Sequence, residues 1–225
     1  MNNRKFIVWD WNGTLLDDTE IVLDCINIAL AKIGSAPISM EVLRNTQSTP
    51  FETLFCELGV AREKMDILIK NNNIFHDSYE RRADHAPLRK GASSLLKQLK
   101  ANNISNFIVS NHIADQIIRL LKRNSIYEFF DEVMAYATPA VQFCGKTKGE
   151  RLHDYIRAKE LDASKALIVG DTREEIRIAH ELGMKSVAIT GGILAEDLLR
   201  AEKPDYIVHS FDDLSSLLKE REYVS

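Results

Sequence analysis

Short apolar runs recur along the chain as "KFIVWD", "NFIVSN", "DEVMAY", "KALIVGD", "KSVAITGG" and "DYIVHSF". Most are continuous rather than alternating, the pattern of strands covered on both faces. From Lys165 onward they are separated by amphipathic stretches of about 10 residues, "REEIRIAHELG", "AEDLLRAE" and "DLSSLLKE", which read as crossover helices. Apolar strands alternating with such helices predict an α/β fold built on a doubly wound parallel sheet.

The stretch after the first run breaks this rhythm. Residues Asp17 to Arg82 read almost wholly helical: "TEIVLDCINIALAKIG" stops at Gly34, "PFETLFCELG" stops at Gly59, and a polar-rich run extends from Ala61 to Arg82. A helical block of this size exceeds a simple crossover. The expected organisation is therefore a core of residues 1–15 and 88–225 with an inserted all-helical cap at 16–87. "APLRKG" forms the return hinge, and "ASSLLKQLKANNIS" forms the first crossover helix.

Composition narrows the partners. A net charge of −4 on 225 residues provides no general attraction to nucleic acid or anionic membranes. No run approaches the roughly 18–20 apolar residues of a membrane span, and "MNNRKFIVWD" is too short an apolar run for a signal peptide. Cys25, Cys56 and Cys144 are far apart and lack metal-type spacing, so they read as free thiols in a reducing compartment. The expectation is a cytoplasmic protein, a monomer or small homo-oligomer.

Ligands of such sheets bind beyond the carboxyl ends of the strands. At those ends stand Asp10 after "FIVW", Ser110 and Asn111 after "NFIV", and Asp171 after "ALIVG". "GKTKGERLHDYI" adds Lys146 and Lys148 just before a helix, so acids, a hydroxyl, an amide and a cation meet at one sheet edge. Taken singly each has a plain account. Asp10 could form a turn, Ser110 could cap the helix "IADQIIRLLKR", Glu175 could be a first-turn helical acid, and His112 a polar residue at a helix start. Trp9 and Trp11 share, by strand alternation, the face opposite Asp10.

Four segments in order, "DWNGTLLDD", "IVSNH", the lysine of "KTKGERL" and "IVGDTREEI", resemble the haloacid dehalogenase-like hydrolases, in the phosphoglycolate-phosphatase-like branch whose helical cap follows the first strand. The resemblance implies a core with strand order 5-4-1-2-3 and Mg²⁺-dependent hydrolysis of a small phosphorylated metabolite. Asp10 would attack phosphorus and form an aspartyl-phosphate. Asp10, Asp171 and the backbone carbonyl of Asn12 would hold Mg²⁺, whose preference for oxygen and retained water suits so few carboxylates. Thr14, Ser110, Asn111 and Lys148 would bind the phosphate, with Lys146 the alternative lysine. Glu175 stands where the family has an aspartate and would orient the lysine or a metal-bound water.

Asn12 departs from the family, whose phosphatases place there an aspartate that protonates the leaving oxygen and then activates water. An amide cannot carry a proton back and forth. Losing such help costs about 10² to 10⁴ in rate, roughly 3 to 5.5 kcal/mol of barrier. The cost falls hardest on alkyl phosphates and lightly on aryl or acyl phosphates. Three explanations stand: a working phosphatase with water or His112 as proton donor, a weakened relative that binds a phosphorylated ligand in a regulatory or binding role, or an engineered residue. Under the first, Asn12→Asp preserves or raises turnover.

Overall fold

The computed structural model describes residues 4–46, 51–61, 63–64, 73–138 and 145–224. The segment "AVQFC" at Ala140 to Cys144, which by sequence could be a substrate-facing loop or filler, and the middle of the polar run after Ala61 lie outside the described residues. Six parallel strands form one sheet: β1 (Phe6–Trp9), β2 (Ser105–Ile113), β3 (Glu132–Tyr136), β4 (Ala166–Gly170), β5 (Lys185–Ile189) and β6 (Tyr206–Val208). Their order is β3-β2-β1-β4-β5-β6. This is the expected 5-4-1-2-3 arrangement with a sixth strand added beyond β5.

The described helices are α1 (Thr19–Lys32), α2 (Met40–Asn45), α3 (Phe51–Glu57), α4 (Asn73–Ala83), α5 (Ala92–Ala101), α6 (Ala114–Arg123), α7 (Lys148–Ala158), α8 (Arg173–Leu182), α9 (Glu196–Ala201) and α10 (Phe211–Glu220). Side-chain alternation sorts the central strands between two helical layers. Ile7 and Trp9, with Trp11, enter the cluster formed with α5, α6 and α10. Phe6 and Val8 enter the cluster formed with α7 and α8. All four residues of β1 are at most 1% exposed, which is why its run is continuously apolar.

Helices α1–α4 gather a further cluster around Cys25, Ile26, Leu30, Leu43, Leu54, Phe55 and Tyr79, whose buried members include no strand residue among those described. Their connections to the sheet lie side by side. Asp17 N–H donates to Pro87 O at 2.9 Å, and Arg89 N–H donates to Leu15 O at 2.9 Å.

The strand order reverses between β1 and β4, because β2 and β3 are laid on one side of β1 and the chain then returns to the other. Loops leaving the carboxyl ends at such a point diverge and open a crevice. Asp10 leaves β1 there and Asp171 leaves β4.

Candidate active site

The loop after β1 begins with pairing still intact: Asp10 N–H donates to Val169 O at 2.9 Å. The chain then folds tightly, with Leu15 N–H and Leu16 N–H both donating to Trp11 O. Gly13 has φ +69°, and a Cβ there would lie 2.3 Å from Asp171 Oδ2. Only glycine takes that backbone while letting the β1 loop press on the β4 carboxylate. From the other side a Cβ on Gly192 would lie 2.1 Å from the same oxygen. Asp171 is thus walled by two glycines and tied down by Ile193 N–H, which donates to its Oδ2 at 2.7 Å.

Thr14 joins the two acids, its Oγ1 lying 2.9 Å from Asp171 Oδ1 and 3.2 Å from Asp10 Oδ2. The other oxygen of Asp10 meets Lys148, whose Nζ stands 2.5 Å from Oδ1. Lys148 opens α7 behind the Thr147–Glu150 capping box and also contacts Glu175 Oε1. Glu175 is held in turn by the N–H and hydroxyl of Thr172, at 3.1 and 2.6 Å, in the capping box of α8. Lys148, Asp171 and Glu175 are each no more than 2% exposed.

Burial raises Asp10 well above the usual carboxylate range, with Glu175 and Asp171 adding and Lys148 opposing. Burial likewise pushes Asp171 up to about 6, aided by Glu175. Glu175 is held low because Lys148 and Thr172 outweigh its burial. Lys148 stays above the ordinary lysine range because Asp10 and Glu175 outweigh its desolvation.

Asp10 and Glu175 therefore share one ammonium, and Asp171 stands beside them held by Thr14 and Ile193 N–H. Such an excess of negative charge beside hard oxygen donors fits a divalent cation. Among the described residues no three or more carboxylate, imidazole or thiolate side chains gather to cage a metal. Magnesium, which keeps several waters, needs no such cage.

Ser110 and Asn111 lie on β2, which continues to Ile113 rather than stopping at Asn111. Ser110 is not a helix cap: Ile113 occupies that place before α6, and Ser110 Oγ instead accepts from His112 N–H at 3.1 Å. The side chain of Asn111 donates to Glu174 Oε2 at 2.7 Å, and Arg151 Nη2 reaches both Ser110 O and Asn111 Oδ1. No bond to Asp10 is formed by either Ser110 or Asn111 among the described contacts. Lys146 is exposed and paired with Asp154, away from the buried acids, so of the two lysines it is Lys148 that reaches Asp10. His112 does not open a helix; it is buried, edge-on to Tyr79, with Nε2 3.1 Å from Glu80 Oε1. Trp9 and Trp11 share the expected face.

Asp18, Tyr79 and Arg89, for which no role is expected from sequence, gather around Asn12 and Gly13. Asn12 Nδ2 donates to Asp18 Oδ2 at 2.7 Å and to Tyr79 Oη at 2.6 Å. Asp18 also accepts from Gly13 N–H at 2.7 Å and from the Tyr79 hydroxyl. Arg89 donates to Gly13 O and Thr190 O at 3.0 and 2.6 Å. Asp18 belongs to the "DWNGTLLDD" segment, but at a helix N-terminus it reads as a cap. Tyr79 lies in the polar run of the insert, and nothing local distinguishes it.

The family described as "Haloacid dehalogenase-like hydrolase" matches residues 7–189. Over 216 residues the chain is 24% identical to the "Putative pyrophosphatase PpaX" of Caldanaerobacter subterraneus, covering 95% of this chain and 94% of that one. Over 224 residues it is 25% identical to the phosphoglycolate phosphatase of Photobacterium profundum, covering 96% of each. Among solved structures, a haloacid dehalogenase-like family protein from Streptococcus pneumoniae superposes with a TM-score of 0.81 at 21% identity, over 97% of this chain and 100% of that one. With the sheet order, the acids at its switch point and the span of the family match in agreement, the chain belongs to the haloacid dehalogenase-like hydrolases.

Proposed function

We propose that the protein is a magnesium-dependent phosphatase that hydrolyses the monoester of a small phosphorylated metabolite through an aspartyl-phosphate on Asp10. The observation that carries this reading is the asymmetric hold on one buried carboxylate, with Lys148 on Asp10 Oδ1 and Thr14 on Oδ2. One oxygen is charge-compensated while the other stands beside Asp171, so the group is oriented as a nucleophile must be.

In the first step an oxygen of Asp10 bonds to phosphorus and the bond from phosphorus to the leaving oxygen breaks, that oxygen keeping the electron pair. In the second, water attacks the phospho-aspartate, releasing inorganic phosphate and restoring Asp10. Lys148, the Ser110 hydroxyl and the amide of Asn111 stabilise charge on the phosphoryl oxygens. Glu175 keeps Lys148 in place. Asp10, Asp171 and the carbonyl of Asn12 would hold magnesium, which supplies the positive charge that lets an anionic nucleophile and an anionic phosphate approach. Residues 16–87 act as a cap that covers the crevice and selects the substrate.

Phosphoglycolate and pyrophosphate, the substrates in the names of the two relatives, are the first compounds to test. Hydrolysis of p-nitrophenyl phosphate should require magnesium and vanish in Asp10→Asn. Turnover that survives Asp10→Asn would sink the covalent route. Asn12 favours one competing reading, a module that binds a phosphorylated ligand without turning it over. It prevails if the wild type binds a phosphorylated metabolite in calorimetry but hydrolyses no phosphate ester.

A further inference from the structure

Asn12, Asp18 and Tyr79 close a ring of hydrogen bonds. The Asn12 amide nitrogen donates to Asp18 Oδ2, at 2.7 Å, and to Tyr79 Oη, at 2.6 Å, two acceptors that lie on one side of it. The single hydroxyl proton of Tyr79 goes to the same Asp18 oxygen, and the remaining oxygen of Asp18 accepts from Gly13 N–H at 2.7 Å. A carboxylate only accepts, so Asp18 dictates which way the amide faces. Asp18 occupies the N-cap position of α1 yet makes no side-chain cap bond, its carboxylate being turned to the loop instead. Tyr79 arrives from α4, so the ring joins the inserted helices to the loop that carries Asp10. Asp18 and Tyr79 are 1% and 3% exposed.

We infer that Asp18 and Tyr79 are positioning residues that hold an amide rather than an acid at position 12, restricting efficient substrates to aryl phosphates, acyl phosphates and phosphoanhydrides. This rests on the phosphatase reading. With no acid at position 12, the leaving oxygen departs carrying its electron pair unprotonated, which those leaving groups tolerate and alkoxides do not. The geometry also changes the expectation for Asn12→Asp. An aspartate there would face Asp18 across the distance now spanned by an N–H···O bond, setting two buried carboxylates against each other. Acid at position 12 and acid at position 18 are thus alternatives.

The test is a double-mutant cycle of Asn12→Asp and Asp18→Asn, with Tyr79→Phe alongside, read by thermal melting and by kcat/KM over a set of phenyl phosphates of graded leaving-group acidity plus an alkyl phosphate. The wild type should prefer the best aryl over the alkyl ester by about 100-fold or more. Asn12→Asp alone should lower the melting temperature by about 3–6 °C and gain no alkyl turnover. The exchanged pair should recover the melting temperature and raise alkyl turnover by about 10-fold or more, flattening the leaving-group dependence. Tyr79→Phe removes one donor to Asp18 and should change the coupling between positions 12 and 18 in the same cycle, a readout that a purely structural tyrosine would leave unmoved.

Additive melting temperatures, or an Asn12→Asp variant as active as the exchanged pair, overturn the inference while leaving the phosphatase reading intact. A wild type without Asp10-dependent turnover overturns the phosphatase reading, and the melting cycle alone then decides whether the ring exists.

Discussion

Lys148 is the residue on which the electrostatics of the site turn. Its ammonium faces Asp10 and Glu175 at 2% exposure, so removing it strands buried carboxylates with no counter-charge. Breaking a buried pair in this way costs about 3–5 kcal/mol. Lys148→Met should therefore lower stability by that order in denaturant titration and reduce turnover at least 100-fold. Asp171 behaves in the opposite sense. Its ionised carboxylate is disfavoured by burial and by Glu175, so Asp171→Asn should stabilise the metal-free protein by about 1–3 kcal/mol. The same change should abolish any rise in melting temperature on adding magnesium, read by calorimetry with and without the ion. A magnesium response that survives Asp171→Asn would remove this residue from the proposed ligand set.

Elements deliver these residues by ordinary local rules. The capping boxes at Thr147 and Thr172 start α7 and α8 where Lys148 and Glu175 face each other, so helix termini rather than loops set the geometry around Asp10. Edge strand β6 is held by Asp205, which accepts from Lys185 Nζ at 2.7 Å and from Ser186 N–H and Oγ at 2.9 and 3.0 Å. Burial of Asp205 works against its ionisation, but the bonds from Lys185 and Ser186 prevail and hold its carboxyl below the ordinary range.

A carboxyl with a depressed folded pKa adds stability above its unfolded pKa of about 3.9, and that share is lost as pH falls through the folded value. Asp205→Asn should thus cost about 1 kcal/mol at pH 7, mostly through the Ser186 bonds because Lys185 is exposed. The difference from wild type should shrink below pH 4. Parallel melting curves across pH 3 to 7 check this.

At the scale of the whole molecule, polar ties join the helices between β1 and β2 to the sheet, beside apolar packing of Ile21 and Ile193. Arg44 on α2 donates from Nε to Gly192 O and from Nη2 to Gly191 O, each at 3.1 Å, and its own carbonyl accepts from Ala195 N–H at 2.8 Å. On the far side Arg119 of α6 pairs with Glu80 and Asp84 around α4. Gly192 packs on Asp171, so the seat of α2 lies against the loop that walls the acid. Arg44→Ala should remove about 1–2 kcal/mol of local stability. Hydrogen exchange should quicken in α1–α4 while the strands keep their protection, the signature of sub-global opening. Uniformly faster exchange across the sheet would show that the two parts open together.

Much of this was legible in the chain. Strands buried on both faces must be apolar throughout, so β1, β2, β4 and β5 stand out as continuous runs, and the parallel order carries Asp10, Ser110 and Asp171 to one edge. A segment with helical pattern but no strand has no place in that sheet, which marks the insertion. Tertiary structure alone decided the rest. Lys146 and Lys148 differ by two positions at one helix start, and only the orientation of α7 buries one against Asp10 and leaves the other on Asp154. The ring around Asn12 joins residues 6 and 67 positions apart, and periodicity reports which face a residue occupies without naming its distant partner. Local rules make Asp18 a helix cap; its carboxylate turns instead to an amide and a phenol because burial demands that each polar group find a partner.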